Sequence, residues 1–241
     1  MHRPVEPLKQ KSMHLFVKTA EEMEEEMTRV IALLLIFTGI RVNTLTHLRW
    51  DWFYRDDGDL YLKIPSEEPC MKYGTSEPCG DCLSNENERY SPKTPAGAGR
   101  QIKIVSSWEN HYTDTSTQQP INLPKLIEHY FKTSPEDVGN EMIDGDGISS
   151  GTANHRVKKV AKEAEIGFYR KPGRVENDRL GIVPDVSPHD LRASFCVQLM
   201  RNDANPFKAI TKTGHKDIES LEPYVKFAEQ EVDSEFEERY I

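Results

Sequence analysis

Ser187-Pro-His-Asp-Leu-Arg192-Ala-Ser-Phe195, followed by Thr213-Gly-His215 and then Tyr224, is the stretch on which the reading of this chain turns. Ser187 with an acidic residue three positions on is a capping box, and Pro188 suits the first helical position. The pattern predicts a helix from there to about Arg201 that buries Leu191, Phe195 and Leu199. His189 and Arg192 lie three apart, so both leave one face of its first turn. Free backbone N–H groups and the helix dipole favour an anion there. A guanidinium adds a planar fork that matches phosphate oxygens. These residues describe a phosphate site. An H-x-x-R pair alone is common, however, and the plain alternative is a helix start with two solvated side chains.

Upstream, Thr38-Gly-Ile-Arg41 places an arginine directly after a helix break and before a short helix, Val42 to about Leu48. Before the break, Thr19-Ala-Glu-Glu22 reads as a capping box. It would open an amphipathic helix carrying Met23, Met27, Val30, Ile31, Leu34 and Leu35. Residues 1–18 read as a leader or linker remnant. Asp59 to Pro65 and Arg100 to Val105 alternate as strands do. Between them lies a long polar insertion, about residues 66–90, and then the Pro/Gly turn Ser91-Pro-Lys93-Thr94. Further helices are expected near 124–132, over 153–164 (basic, with Arg156, Lys158, Lys159 and Lys162), from Pro206 to Thr213, and around Tyr224. Residues 167–186 read as a loop. The expected class is mainly α with a small antiparallel β-sheet (α+β), in one domain over 19–228 with a tail at 229–241.

The chain has 241 residues, 37% hydrophobic and 29% charged, with a formal net charge of −9. That is enough apolar material for a core, and no apolar run is long enough to span a bilayer. No secretory signal pattern opens the chain, so a cytoplasmic, nucleoid-associated protein is expected. The negative charge argues against nucleic-acid binding as a global sum, but much of it lies in two blocks, Glu21–Glu26 and Glu229–Glu238. A local basic face is compatible with that. Cys70, Cys79 and Cys82 cluster in the insertion and include a C-x-x-C knuckle, a candidate set for structural zinc. Zinc wants four ligands. No fourth cysteine or histidine lies in the insertion, and His111 is the nearest downstream candidate. The alternative is three reduced thiols in a loop. Cys196 stands apart in an apolar helix.

Taken together and in order, Thr-Gly-Ile-Arg41, the lysine turn, His189-x-x-Arg192, Gly-His215 and Tyr224 resemble the signature of the tyrosine recombinases, the phage integrase family, over roughly residues 19–228. The resemblance implies the catalytic-domain fold of these DNA breaking-and-rejoining enzymes. It also implies a catalytic set of Arg41, Lys93, His189, Arg192, His215 and Tyr224, with Lys103 and Lys63 as competitors of Lys93. Tyr224 would attack a scissile phosphate and form a 3′-phosphotyrosyl link. The arginines would hold the phosphate, His189 would give acid–base support, His215 would hydrogen-bond the phosphate, and Lys93 would protonate the leaving oxygen. No metal or nucleotide cofactor would be required. The partners implied are double-stranded DNA, contacted by Arg156, Lys158, Lys159 and Lys162, and further copies of the chain assembled on it. No membrane is involved. Two features depart from the family pattern: Thr44 stands where an acidic residue is usual, and the hairpin carries the cysteine insertion. Alternatives are a type IB topoisomerase-like nicking and closing activity, or a non-catalytic DNA-binding accessory protein of the same fold. In the tail, Val232, Phe236 and Tyr240 recur every fourth residue. That stripe would dock on a neighbouring protomer or on the chain's own core.

Overall fold

The structure is a computed structural model that describes residues 5–72, 77–85, 88–105, 122–133, 148–170, 182–184, 186–202 and 205–230. The chain begins with α1 (Gln10–Glu22), α2 (Glu26–Thr38) and the short α3 (Val42–Thr46). Residues 30–37 of α2 are all buried, which makes this a central helix with apolar contacts on every side rather than an amphipathic one. Its neighbours include α1, α5 (Leu123–Thr133), α6 (Ser150–Glu163) and α7 (Pro188–Arg201). The described part ends with α8 (Pro206–Thr213) and a helical stretch over 222–230 that carries Tyr224. Among the described residues, no helix is long and apolar enough to cross a membrane.

The sheet has three antiparallel strands in the order β1 (Phe53–Asp56), β2 (Asp59–Lys63), β3 (Gln101–Lys103). β1 and β2 turn at Asp57-Gly58, the dipeptide that two-residue hairpins favour. Tyr61 pairs with Lys103, and Lys63 with Gln101. Leu60, Leu62, Ile102 and Ile104 point into the core. The short helix α4 (Gly80–Leu83) lies within the insertion, and Glu68 bridges to Tyr90 across it. The class is thus mostly helical with a small antiparallel sheet, as expected.

Several sequence expectations need correction. Residues 10–18 are not a leader. They form most of α1, because Met13, Phe16 and Ala20 recur at helical spacing and are buried. Even the residues before it are tied down. The Glu6 N–H donates to Asp190 Oδ1 at 2.8 Å, and the Leu8 N–H to Ser194 Oγ at 2.8 Å. Thr19 sits near the end of α1 rather than starting a helix. The chain breaks at Met23, and α2 starts afresh at Glu26. β1 is a strand beyond the two that the sequence pattern predicts. Within 167–186, Phe168–Arg170 and Ile182–Pro184 pair as β4 and β5. His111 and residues 231–241, with the tail stripe, lie outside the described residues.

Candidate active site

Two helix ends bring the signature residues together. α2 stops at Gly39, whose φ of 58° is left-handed, and a Cβ there would lie 2.3 Å from Phe195 Cδ1. The chain therefore turns tightly against α7, and Arg41 follows as the N-cap of α3. α8 stops at Gly214 with φ 68°, where a Cβ would come within 2.9 Å of Gly97 Cα. Glycine alone lets the Pro95–Gly97 turn of the hairpin rest on the end of α8. α7 starts with the full capping box. Ser187 Oγ accepts from the Asp190 N–H, and Asp190 accepts from the Ser187 N–H at 2.8 Å. Asp190 is 1% exposed, so its carboxylate is wholly committed to holding this helix start and the strap at Glu6.

The Gly214 carbonyl is the meeting point. It accepts from Arg41 Nη2 at 3.1 Å and from Thr94 Oγ1 at 2.8 Å. Arg192 is 3% exposed and donates to the Gly39 carbonyl and, at 2.7 Å, to that of Thr213. Arg100 reaches the Lys212 carbonyl at 2.7 Å. Thr213 Oγ1 donates to the Ala209 carbonyl at 2.7 Å, so it must accept from His215 Nδ1–H, also at 2.7 Å. That places the lone pair of His215 Nε2 toward Arg192 Nη2, 3.4 Å away. The Tyr224 ring lies 5.7 Å from that of His215, centroid to centroid.

A search for known families finds the model described as "Phage integrase family" over residues 131–231. No curated protein matches the chain by sequence. Among solved structures, the chain is similar in fold to an XerH site-specific recombinase bound to palindromic difH substrate, post-cleavage, at 14% identity and TM-score 0.62 over 96% of this chain and 52% of that one. It is also similar to the XerA recombinase, at 14% identity and TM-score 0.59 over 100% and 65%. A third is a Tn1549 transposon integrase in complex with transposon right-end DNA, at 16% identity and TM-score 0.56 over 96% and 67%. The chain spans about half to two thirds of the length of these structures. The fold is that of the tyrosine recombinase catalytic domain. The matched segment includes His189, Arg192, His215 and Tyr224, whereas Arg41 and Lys93 lie upstream of it.

The electrostatics of this cluster are lopsided. Arg41, Arg100 and Arg192 crowd together, and none has a carboxylate partner among the described residues. Burial first, then the two neighbouring guanidiniums, push Arg100 down to about 9. Burial and Arg41 push Arg192 down to about 10. Burial, followed by Arg192, Arg41 and Arg100, depresses the His215 imidazole to about 3, so it is neutral at physiological pH. Burial, aided by the Cys196 thiol, raises the Tyr224 phenol, against the pull of Arg192 and Arg41. The resting tyrosine is therefore protonated and needs a proton acceptor. His189 stands exposed at the mouth. Partial enclosure and then Arg192 lower its pKa, and Lys93 is close enough to add to the effect.

Other candidates fall elsewhere. Lys103 pairs with Asp59 at 2.6 Å, and Lys63 lines a groove with Asp51, Trp52 and Glu68. On α6, Arg156 is ion-paired with Glu25 at the start of α2, and Lys159 lies 3.5 Å from the same carboxylate. Lys158 is half-buried and Lys162 exposed. Thr44 accepts from the Tyr90 hydroxyl at 3.2 Å and makes no contact that replaces the usual carboxylate. Sequence reasoning missed Arg100, since an arginine after Ala-Gly at a strand start looks like any surface arginine. Cys70, Cys79 and Cys82 are brought together, and all three are buried.

Proposed function

We propose that the chain is the catalytic part of a site-specific tyrosine recombinase acting on double-stranded DNA through Tyr224. The observation that carries this reading is the cluster of Arg41, Arg100 and Arg192, which has no carboxylate partner among the described residues, set beside a tyrosine and two histidines. A phosphodiester would bring negative charge to these guanidiniums. Arg41 and Arg192 would bind its non-bridging oxygens and stabilise the charge that grows on them in the transition state. Tyr224 Oη attacks phosphorus, its proton passes to His189, and the bond to the 5′ oxygen breaks as Lys93 protonates it. The resulting 3′-phosphotyrosine conserves the bond energy. A 5′-hydroxyl reverses the step, and a hydroxyl from a second duplex completes recombination. His215, held neutral with Nδ1 tied to Thr213, would orient Arg192 and the phosphate. Of the α6 cations, Lys158 and Lys162 would meet the DNA backbone. Assembly of further copies on DNA is part of the same reading.

A nicked suicide duplex tests it. Once the short strand diffuses away, the wild-type chain should remain covalently attached, and Tyr224→Phe should bind DNA but give no adduct. An adduct with the phenylalanine variant would overturn the assignment of Tyr224. Products that join two duplexes distinguish recombination from nicking and closing of one.

A further inference from the structure

We infer that His47, Cys70, Cys79 and Cys82 form a structural zinc(II) site that clamps the hairpin insertion onto α3. The four ligand atoms lie within 4.8 Å of one another, and all four residues are buried. His47 Nε2 is 3.3 Å from Cys79 Sγ and 3.3 Å from Cys82 Sγ. Zinc–sulfur and zinc–nitrogen bonds of about 2.3 and 2.0 Å give a tetrahedron with edges of about 3.5–3.8 Å, so the ion would open the two shortest contacts slightly and draw in the wider ones. Among the described residues, the histidine that joins the three thiols is not in the insertion. It comes from upstream, at the C-cap of α3, where only folding brings it to the thiols.

The surroundings are those of a metal ligand set. His47 Nδ1 is 2.7 Å from the Asn43 carbonyl, to which it donates, leaving the Nε2 lone pair facing the sulfurs. A bond of that kind is the usual second partner of a metal-bound imidazole. Cys70 Sγ accepts the Cys79 N–H at 3.4 Å, as thiolates in zinc knuckles accept backbone donors. Three thiolates, a neutral imidazole and Zn²⁺ sum to one negative charge. Lys72 supplies a buried cation beside them, only 5% exposed, with its Nζ 3.6 Å from Asp81. A closed set of four nitrogen and sulfur ligands with no open position suits a structural ion rather than a catalytic one. A disulfide would use two thiols and leave the third and the imidazole without a role.

The insertion needs such a fastening. Its helix α4 has four residues, and Leu83 and Met71 face solvent at 57% and 37% exposure. Among its described residues, the large buried aromatic anchor is Tyr90, whose ring lies 4.8 Å from that of His47 and 5.1 Å from that of Trp52. Loops with so small a core depend on metals or cross-links.

The full-length chain, purified without chelator and dialysed into metal-free buffer, should hold about one zinc per chain by elemental mass spectrometry. Cobalt(II) exchanged into it should show thiolate charge-transfer bands and the intense visible bands of tetrahedral coordination. His47→Ala should weaken zinc affinity at least tenfold, His47→Cys should restore it with four thiolates, and Cys196→Ser should leave it unchanged. Should His47→Ala fail to fold, the cobalt spectrum of the wild-type chain and the zinc content of His47→Cys still decide. A folded wild-type chain that binds no zinc and whose cysteines at 70, 79 and 82 react freely with a thiol reagent would overturn the site. Unchanged zinc affinity in His47→Ala, or an octahedral cobalt spectrum, would overturn this ligand set.

Discussion

The two ends of α3 border buried polar clusters of opposite character. At its N-cap, Arg41 joins Arg100 and Arg192 in a pocket with an excess of positive charge. At its C-cap, His47 joins three thiols in a pocket rich in soft electron pairs. The chemistry of one cluster suits an anion and that of the other a metal cation. The arginines are held apart by backbone carbonyls at Gly39, Lys212, Thr213 and Gly214, so their geometry is set before a ligand arrives. That is the preorganisation that electrostatic catalysis requires. The thiols hang from a loop with little core of its own, so there the ligand would set the geometry. Perturbing one cluster should therefore change chemistry, and perturbing the other should change folding of the insertion.

The largest effect should come from Arg192→Lys. A point charge cannot make the planar fork, nor reach the Gly39 and Thr213 carbonyls together. Single-turnover cleavage of a suicide duplex should fall by roughly 10²–10³-fold, the typical cost of one lost transition-state donor, with zinc content unchanged. A rate within threefold of wild type would remove Arg192 from the phosphate.

Gly214→Ala should come next. The left-handed φ and the 2.9 Å approach to Gly97 Cα leave no room for a side chain. Separation of the hairpin turn from α8 should cost about 1–3 kcal/mol in urea unfolding. It should also slow cleavage, because Thr94 and Arg41 both bind the Gly214 carbonyl. Unchanged stability would mean that the hairpin is not docked there.

A third test uses pH. The folded His215 pKa of about 3 is below its unfolded value of about 6.5. Between these values the unfolded chain binds the extra proton, so stability is full above about 6.5 and declines as pH falls toward 3. By pH 5 the loss should be on the order of 2 kcal/mol. Acid also strips zinc from thiolates, so the diagnostic quantity is the difference between wild type and His215→Asn. The variant should lose less stability over this range. Parallel pH curves for the two proteins would show that His215 is not held neutral by the arginines.

How much was legible beforehand follows the same division. The arginine cluster was readable because most of its members sit at helix starts and stops: the capping box at Ser187 and the breaks at Gly39 and Gly214 leave strong local marks. Arg100 left none. Its role comes from a hairpin folding back on α8, a contact between residues more than a hundred positions apart. His47 was missed for the same reason: a cysteine cluster in the insertion points to partners in or after it, while the fold brings His47 to the thiols from upstream. The α1 helix was missed although Met13, Phe16 and Ala20 carried the signal, because the prolines before it suggested a loose leader. The reading of α2 as amphipathic failed because a run apolar on all sides has no stripe to measure.

The smallest expected effect concerns the competing lysine. Lys103 and Lys93 flank the same turn, and either could be drawn as the proton donor from sequence. Lys103 is on β3 opposite Tyr61, with its Nζ 2.6 Å from Asp59 on the neighbouring strand. Both partners are exposed, with side chains 49% and 43% accessible, so the pair is screened by solvent and contributes little to stability. Lys93 sits in the turn that docks by Thr94 on the Gly214 carbonyl, and its charge reaches His189. If Lys93 is the donor, Lys103→Ala should shift stability by less than about 0.5 kcal/mol and leave cleavage of a normal duplex unchanged. Lys93→Ala should be slow on that duplex, yet recover on one whose bridging 5′ oxygen is replaced by sulfur, a leaving group that needs no proton. Rescue by sulfur in the Lys103 variant instead of the Lys93 variant would exchange the two roles, and would require the hairpin to rearrange when DNA binds.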